Sequence, residues 1–207
     1  MKYIIIHTVV LLFRCISNAQ TPLDPVMKSY FRENPFEISF SSFITSIQKD
    51  PWFSTESLHL RTDTSFFFLT GAYKNFNPFG FKANKVRLTI AEKDFYHTDS
   101  QKTLDTMIVI QLIGVLDTSI SSTPLVAKEF KKFERKHASD FWRTDHSKDE
   151  SSKNIKWEIN NYYYLSMSLA QLTIAWGRLP DSQEFSFIIT VRCKLKENQA
   201  TFIYSVE

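Results

Sequence analysis

Acid–base, metal and thiol chemistry rest on few side chains in this 207-residue sequence. Beyond the first 19 residues the histidines are His59, His97, His137 and His146, and the one cysteine is Cys193. No two of these histidines stand four apart and no His-Glu-x-x-His occurs, so the helical zinc motif is missing. His97 stands between Asp94 and Asp99, a set that could hold a metal or act as a base. In a polar turn between strands, however, solvated side chains are the simpler expectation. His137 with Asp140 is a second acid–base candidate, but a lone histidine on an apolar helix stripe is ordinarily a core or boundary residue. His146 keeps company with Asp145, Asp149 and Glu150 in a polar stretch that offers no rigid positioning. Cys193 alternates inward with Val191 and Leu195, while its cationic neighbours Arg192 and Lys194 point the other way, which describes a core thiol.

Phosphate and nucleophile motifs are missing as well. The glycines are Gly71, Gly80, Gly114 and Gly177, and no pair has the spacing of a phosphate-cradling loop or a dinucleotide fingerprint. There is no G-x-S-x-G elbow. No catalytic residue, metal ligand or cofactor is assigned on this basis.

The unusual chemistry is aromatic. Tyr73-Lys74-Asn75-Phe76-Asn77-Pro78-Phe79-Gly80-Phe81 places four rings around an Asn-Pro-x-Gly turn. Turns are normally polar because their backbone faces water. Tyr73, Phe76, Phe79 and Phe81 therefore either fold back over a sheet or form an exposed apolar patch that binds a ligand or partner. Tyr162, Tyr163, Tyr164 and Trp176 form a second cluster, explained by core packing with a polar rim.

The elements that must position these residues follow from periodicity. Asp24 with Pro25 caps a short helix in an entry segment over residues 20–34. Asn34-Pro35-Phe36-Glu37 repeats the device, and Phe36, Phe40, Phe43, Ile44 and Ile47 trace a helical stripe over 35–49 that Asp50-Pro51 ends. Strands are predicted over 57–61, 65–73, 85–92 and 106–116, the last apolar on both faces and with Gly114 marking a bulge. A second helix starts at Thr123-Pro124 and steps through Val126, Phe130, Phe133, His137 and Phe141. Its other face carries Lys128, Lys131, Lys132, Arg135 and Lys136, diluted by Glu129, Glu134 and Asp140, and a solvated surface is the default, with anionic lipid or polysaccharide as the functional option. Residues 144–154 read as an exposed polar loop. Strands follow over 155–159, 162–176 (one long bent strand), 184–195 and 200–206.

The resulting fold class is α+β: an antiparallel β-sheet or sheets with two main helices, in an α-β-β-β-β order given twice. Asn34-Pro35 and Thr123-Pro124 stand at matching points of halves 35–120 and 121–207, a pseudo-duplication in topology without residue similarity. Both halves belong to one α+β domain, 35–207.

Residues 1–19 read as a secretory signal: Lys2, an apolar run from Tyr3 to Phe13, and Ser17-Asn18-Ala19 before a cleavage point ahead of Gln20. The run is shorter than the roughly 20 residues a membrane span takes. A retained N-terminal anchor is the alternative. The expected mature protein is soluble and periplasmic or extracellular, with no transmembrane segment. Loss of Lys2 and Arg14 brings the formal charge from +3 to +1, too small a field for nucleic acid. Composition excludes a disordered, collagen-like or disulfide-scaffold protein, at 43% hydrophobic and 23% charged residues. The expected function is that of a non-enzymatic binding or interaction module using an aromatic-rich surface or pocket, its partner a hydrophobic ligand or an envelope protein. The alternative is a small exported hydrolase or isomerase whose acid–base residues assemble only in three dimensions.

Overall fold

Local capping chemistry begins the first long helix later than periodicity alone predicts. Asn34 and Pro35 form a turn in which the Phe36 N–H donates to Asn34 Oδ1 (3.0 Å) and the Glu37 N–H to the Asn34 carbonyl (3.2 Å). The helix itself starts at Phe40, with Ser39 Oγ accepting from the Ser42 N–H (3.2 Å) as its cap. The computed structural model describes residues 23–62, 65–96, 104–116, 123–139, 141–152, 155–164, 170–178 and 184–194. The predicted signal over 1–19 and the predicted strand over 200–206 lie outside the described residues.

Helix α1 (Asp24–Tyr30) and helix α2 (Phe40–Lys49) precede four strands: β1 (Phe53–His59), β2 (Phe68–Tyr73), β3 (Lys85–Tyr96) and β4 (Leu104–Leu116). Helix α3 (Thr123–His137) precedes four more: β5 (Trp142–Ser152), β6 (Ile155–Tyr164), β7 (Ala170–Arg178) and β8 (Phe185–Cys193). All eight strands form one antiparallel sheet in the order β1-β2-β3-β4-β8-β7-β6-β5. The two hairpin-linked groups therefore meet at a central β4–β8 seam, paired from Ile108↔Cys193 to Leu116↔Phe185. The α+β class with an antiparallel sheet holds.

Period-two alternation sends one set of side chains beneath the helices. Leu69, Ile90, Ile110, Val191 and Leu172 form one transverse row of that covered face, and Leu88, Leu112, Ile189 and Ile174 the next. Val126, Phe130 and Phe133 of α3, Phe40, Phe43, Ile44 and Ile47 of α2, and Val26, Met27 and Tyr30 of α1 close over them in one apolar cluster. Glu92 and Glu134 are among the carboxylates that enter this layer with partners. Arg61 Nη1 donates to Glu92 Oε1, and the Phe67 N–H donates to Glu92 Oε2 (3.2 Å). Glu134 of α3 accepts from Asn160 Nδ2 and the Tyr162 hydroxyl of β6. A buried charge persists only when it is satisfied in this way.

Three expectations are corrected. Residues 144–152 are not a loop but most of β5, an edge strand paired with β6. Their polarity belongs to an edge, where charged side chains discourage further strand addition. The stretch 162–176 is not one bent strand: its ends belong to separate antiparallel strands, β6 and β7, paired from Trp157↔Gly177 to Tyr164↔Ala170. Gly114 makes no bulge, because pairing runs regularly through Val86↔Gly114 and Gly114↔Phe187. A Cβ there would stand 2.6 Å from the Phe79 ring, so the missing side chain makes room for that ring.

Candidate functional site

The four rings of the 73–81 turn lie mostly inside. Tyr73, Phe79 and Phe81 are buried, and Phe76 is half-buried against the core. Phe79 stacks on Phe81 (5.1 Å, 3°), and both meet Phe187 edge-on at 5.5 and 5.8 Å. Asn77 Nδ2 donates to the Phe81 carbonyl (2.7 Å), holding the turn folded over the covered face. Tyr73 packs on Phe53 and Phe76, whose ring carries the Arg32 guanidinium at 5.8 Å. These residues fill the core, and of the four rings only Phe76 keeps a substantial area toward solvent.

Of the acid–base candidates, His97, Asp99 and Asp140 lie outside the described residues. His137 is buried beside Tyr30 (5.7 Å) and Phe133 (5.2 Å), and neither ring nitrogen has a hydrogen-bond partner. Burial, then the charges of Lys136 and Lys132, lower its pKa to about 4, so the ring is neutral. Cys193 is buried on the covered face, and burial pushes its thiol up to about 12, which makes it inert. His146 Nε2 stands 3.3 Å from Glu158 Oε1. No group of three His, Cys, Asp or Glu side chains arranged to hold a metal ion is found among the described residues.

What the structure does assemble is a polar track on the opposite face of the sheet, the face away from the helices. Register places Ser57, Thr70, Thr89, Gln111, Thr190, Thr173, Asn161 and Asp145 side by side, one from each strand. At a strand spacing of about 4.8 Å, the row spans roughly 34 Å. Its members touch. Thr70 and Thr89 share a hydroxyl hydrogen bond (3.1 Å), and Gln111 Nε2 donates to Thr190 Oγ1 (3.1 Å). Thr173 Oγ1 donates to Asn161 Oδ1 (2.7 Å) and accepts from Arg192 Nη1 (3.0 Å). Each hydroxyl has one proton and two lone pairs, and each amide two protons and two lone pairs. Ser57 Oγ also bonds His59 Nε2 (3.3 Å), Thr70 Oγ1 donates to the Leu88 carbonyl (3.4 Å) and Asn161 Nδ2 to Asp145 Oδ2 (3.5 Å), and all members but Thr190 are at least partly open to solvent.

Apolar and aromatic residues border the track. Ala72, Ile113, Ile188, Ala175 and Ile159 form the row on one side, interrupted only by Arg87, which grips Glu184 through two hydrogen bonds (2.8 and 3.3 Å). On the other side register runs from Phe68 through Ala91 and Val109 to Arg192 and Gln171, and ends with Trp142 opposite Tyr163. Trp142 is 80% exposed, the most exposed large apolar side chain among the described residues. His59 and Phe68 pack at 6.1 Å at the far end. No signal in the linear sequence joins these eight polar residues, because each comes from a different strand and only the register aligns them. Trp142 escapes notice for a related reason: it stands two residues before the stretch whose polarity reads as loop.

No protein-family model, no curated protein and no solved structure matches the chain.

Proposed function

We propose that this protein is an exported, non-enzymatic binding module that uses the helix-free face of its sheet to hold an extended, neutral, hydroxyl-rich chain, that is, a polysaccharide. The observation that carries this reading is the unbroken row of hydroxyl and amide side chains from Ser57 to Asn161, ended by the Asp145 carboxylate. Neutral groups that both donate and accept suit sugar hydroxyls. The partly open Ile113, Ile188 and Ile159 and the exposed Trp142 suit the C–H faces of sugar rings, since an indole offers an apolar face and a polar tip. A ligand with one polar unit per strand spacing meets a fresh partner at each step. Burial of Phe79 and Phe81 moves the expected binding surface from the aromatic turn to this face. Export is supported by the N-terminal residues 1–19 alone. The track crosses the β4–β8 seam without a break, which fits a duplicated α-β-β-β-β unit whose halves pair edge to edge.

Affinity electrophoresis through neutral dextran or mixed-linkage β-glucan tests the reading. Wild-type protein is expected to be retarded in at least one neutral glucan. Thr89→Val with Thr173→Val removes two hydroxyls at nearly constant volume, and Trp142→Ala removes the stacking ring. Both are expected to restore free mobility with the fold intact by circular dichroism. Unretarded wild-type protein, or variants retarded as strongly as wild type, would sink the assignment.

A further inference from the structure

The opposite side of the molecule carries a different surface. Helix α3 has five cations within nine residues, Lys128, Lys131, Lys132, Arg135 and Lys136, and two carboxylates, Glu129 and Glu134. In the linear sequence the acids dilute the cations; in the fold the only one of these cations they pair with is Lys132, among the described residues. Glu129 is buried, accepting from the Tyr30 hydroxyl (3.2 Å) and pairing with Lys132 (3.4 Å). Glu134 is committed to Asn160 and Tyr162 of β6. Both acids therefore turn toward the protein and leave the outward face cationic. Lys128, Lys131 and Arg135 are exposed and have no carboxylate partner among the described residues. With Pro124 and Ala127 they line a shallow groove of about 270 Å³ along the helix. Leu125, 54% exposed, follows Pro124 in the first turn of the same helix.

We infer that this outward face of α3 docks on the headgroups of an anionic phospholipid bilayer. Charge complementarity supplies the attraction, about fivefold in affinity per cation near such a surface. Leu125 decides between polyanions. Beside cations an exposed leucine gains nothing on an acidic polymer or a nucleic acid, but at a lipid surface it enters the acyl boundary while the lysine stems lie along it. The whole chain carries a formal charge of only +3, so the attraction is a property of this patch and not of net charge. The polar track lies on the other side of the sheet, so the inference stands independently of the polysaccharide reading.

Vesicle co-sedimentation of the full chain provides the test. Vesicles of phosphatidylcholine containing one phosphatidylglycerol in three lipids are expected to bind it, and pure phosphatidylcholine vesicles are not. Binding is expected to disappear near 1 M salt, where the screening length is about 3 Å. The combination Lys128→Glu, Lys131→Glu and Arg135→Glu is expected to lose roughly a hundredfold or more in vesicle affinity. Leu125→Ser is expected to weaken binding without changing its salt dependence. A control with the same net charge, Lys49→Glu, Lys74→Glu and Lys82→Glu, keeps α3 intact and is expected to bind like wild type. Equal loss in the control, retention by the α3 variant, or wild-type protein that ignores anionic vesicles would overturn the inference. So would wild-type protein that binds polyglutamate but no vesicle, which would assign the face to an acidic polymer.

Discussion

At His137 the imidazole stands between Tyr30 of α1 and Phe133 of its own helix, with both nitrogens unpartnered. Protonation there puts an unsolvated charge next to Lys132 and Lys136, and the Tyr30 hydroxyl facing it is already committed to Glu129. The folded pKa of about 4 lies below the ordinary 6.5, so the unfolded chain binds the proton more readily. Stability from this residue is present in full above about pH 6.5, falls as the pH drops toward about 4, and changes no further below that. Urea unfolding at neutral pH and at about pH 4.5 is expected to show a loss in wild type that His137→Phe lacks. Equal losses would exclude His137 as the source. Its place on the apolar stripe is legible from its spacing with Phe130 and Phe133. The absence of any partner is not, because it depends on which α1 residues arrive from about a hundred positions away.

Elements were legible where a local pattern belonged to a single segment. The Thr123-Pro124 start and the three-and-four spacing of α3 sufficed, as did the alternation of β8, in which Ile188 is the exception. They misled where neighbours decide: β5 is polar because it is an edge, and Leu172 and Ile174 of β7 are apolar because they lie in the covered core. The connection from β2 to β3 shows the same competition. It reads as a surface turn, yet Phe79 reaches the hollow over Gly114 and plugs it. Phe79→Ala is expected to cost about 3–5 kcal/mol. Gly114→Ala alone is expected to cost about 1–3 kcal/mol by overpacking against the ring. Together they should be strongly non-additive, since the added methyl occupies space the ring has vacated. Additive denaturation energies would show that the ring and the glycine do not share one space.

For the whole molecule, the decisive contact is the seam. Strands β4 and β8 pair over nine positions, and the covered rows run through them from Leu69 to Leu172 without a gap. No short-range pattern announces that pairing, which joins residues about eighty apart in the chain. The polar track, which depends on the same register, was invisible for the same reason. Because one apolar cluster includes both halves and all three helices, neither half has a core of its own. Unfolding should therefore be a single transition. Ile189→Ala in β8 removes a fully buried side chain at the seam and is expected to destabilise by about 2–5 kcal/mol. Amide hydrogen exchange gives the sharper readout: protection in β2 and β3 should fall by the same free energy as protection in β6 and β7. If β2 and β3 kept their protection while β6 and β7 lost it, the sheet would be two independent units set side by side. The polar track would then be interrupted whenever the second unit opened.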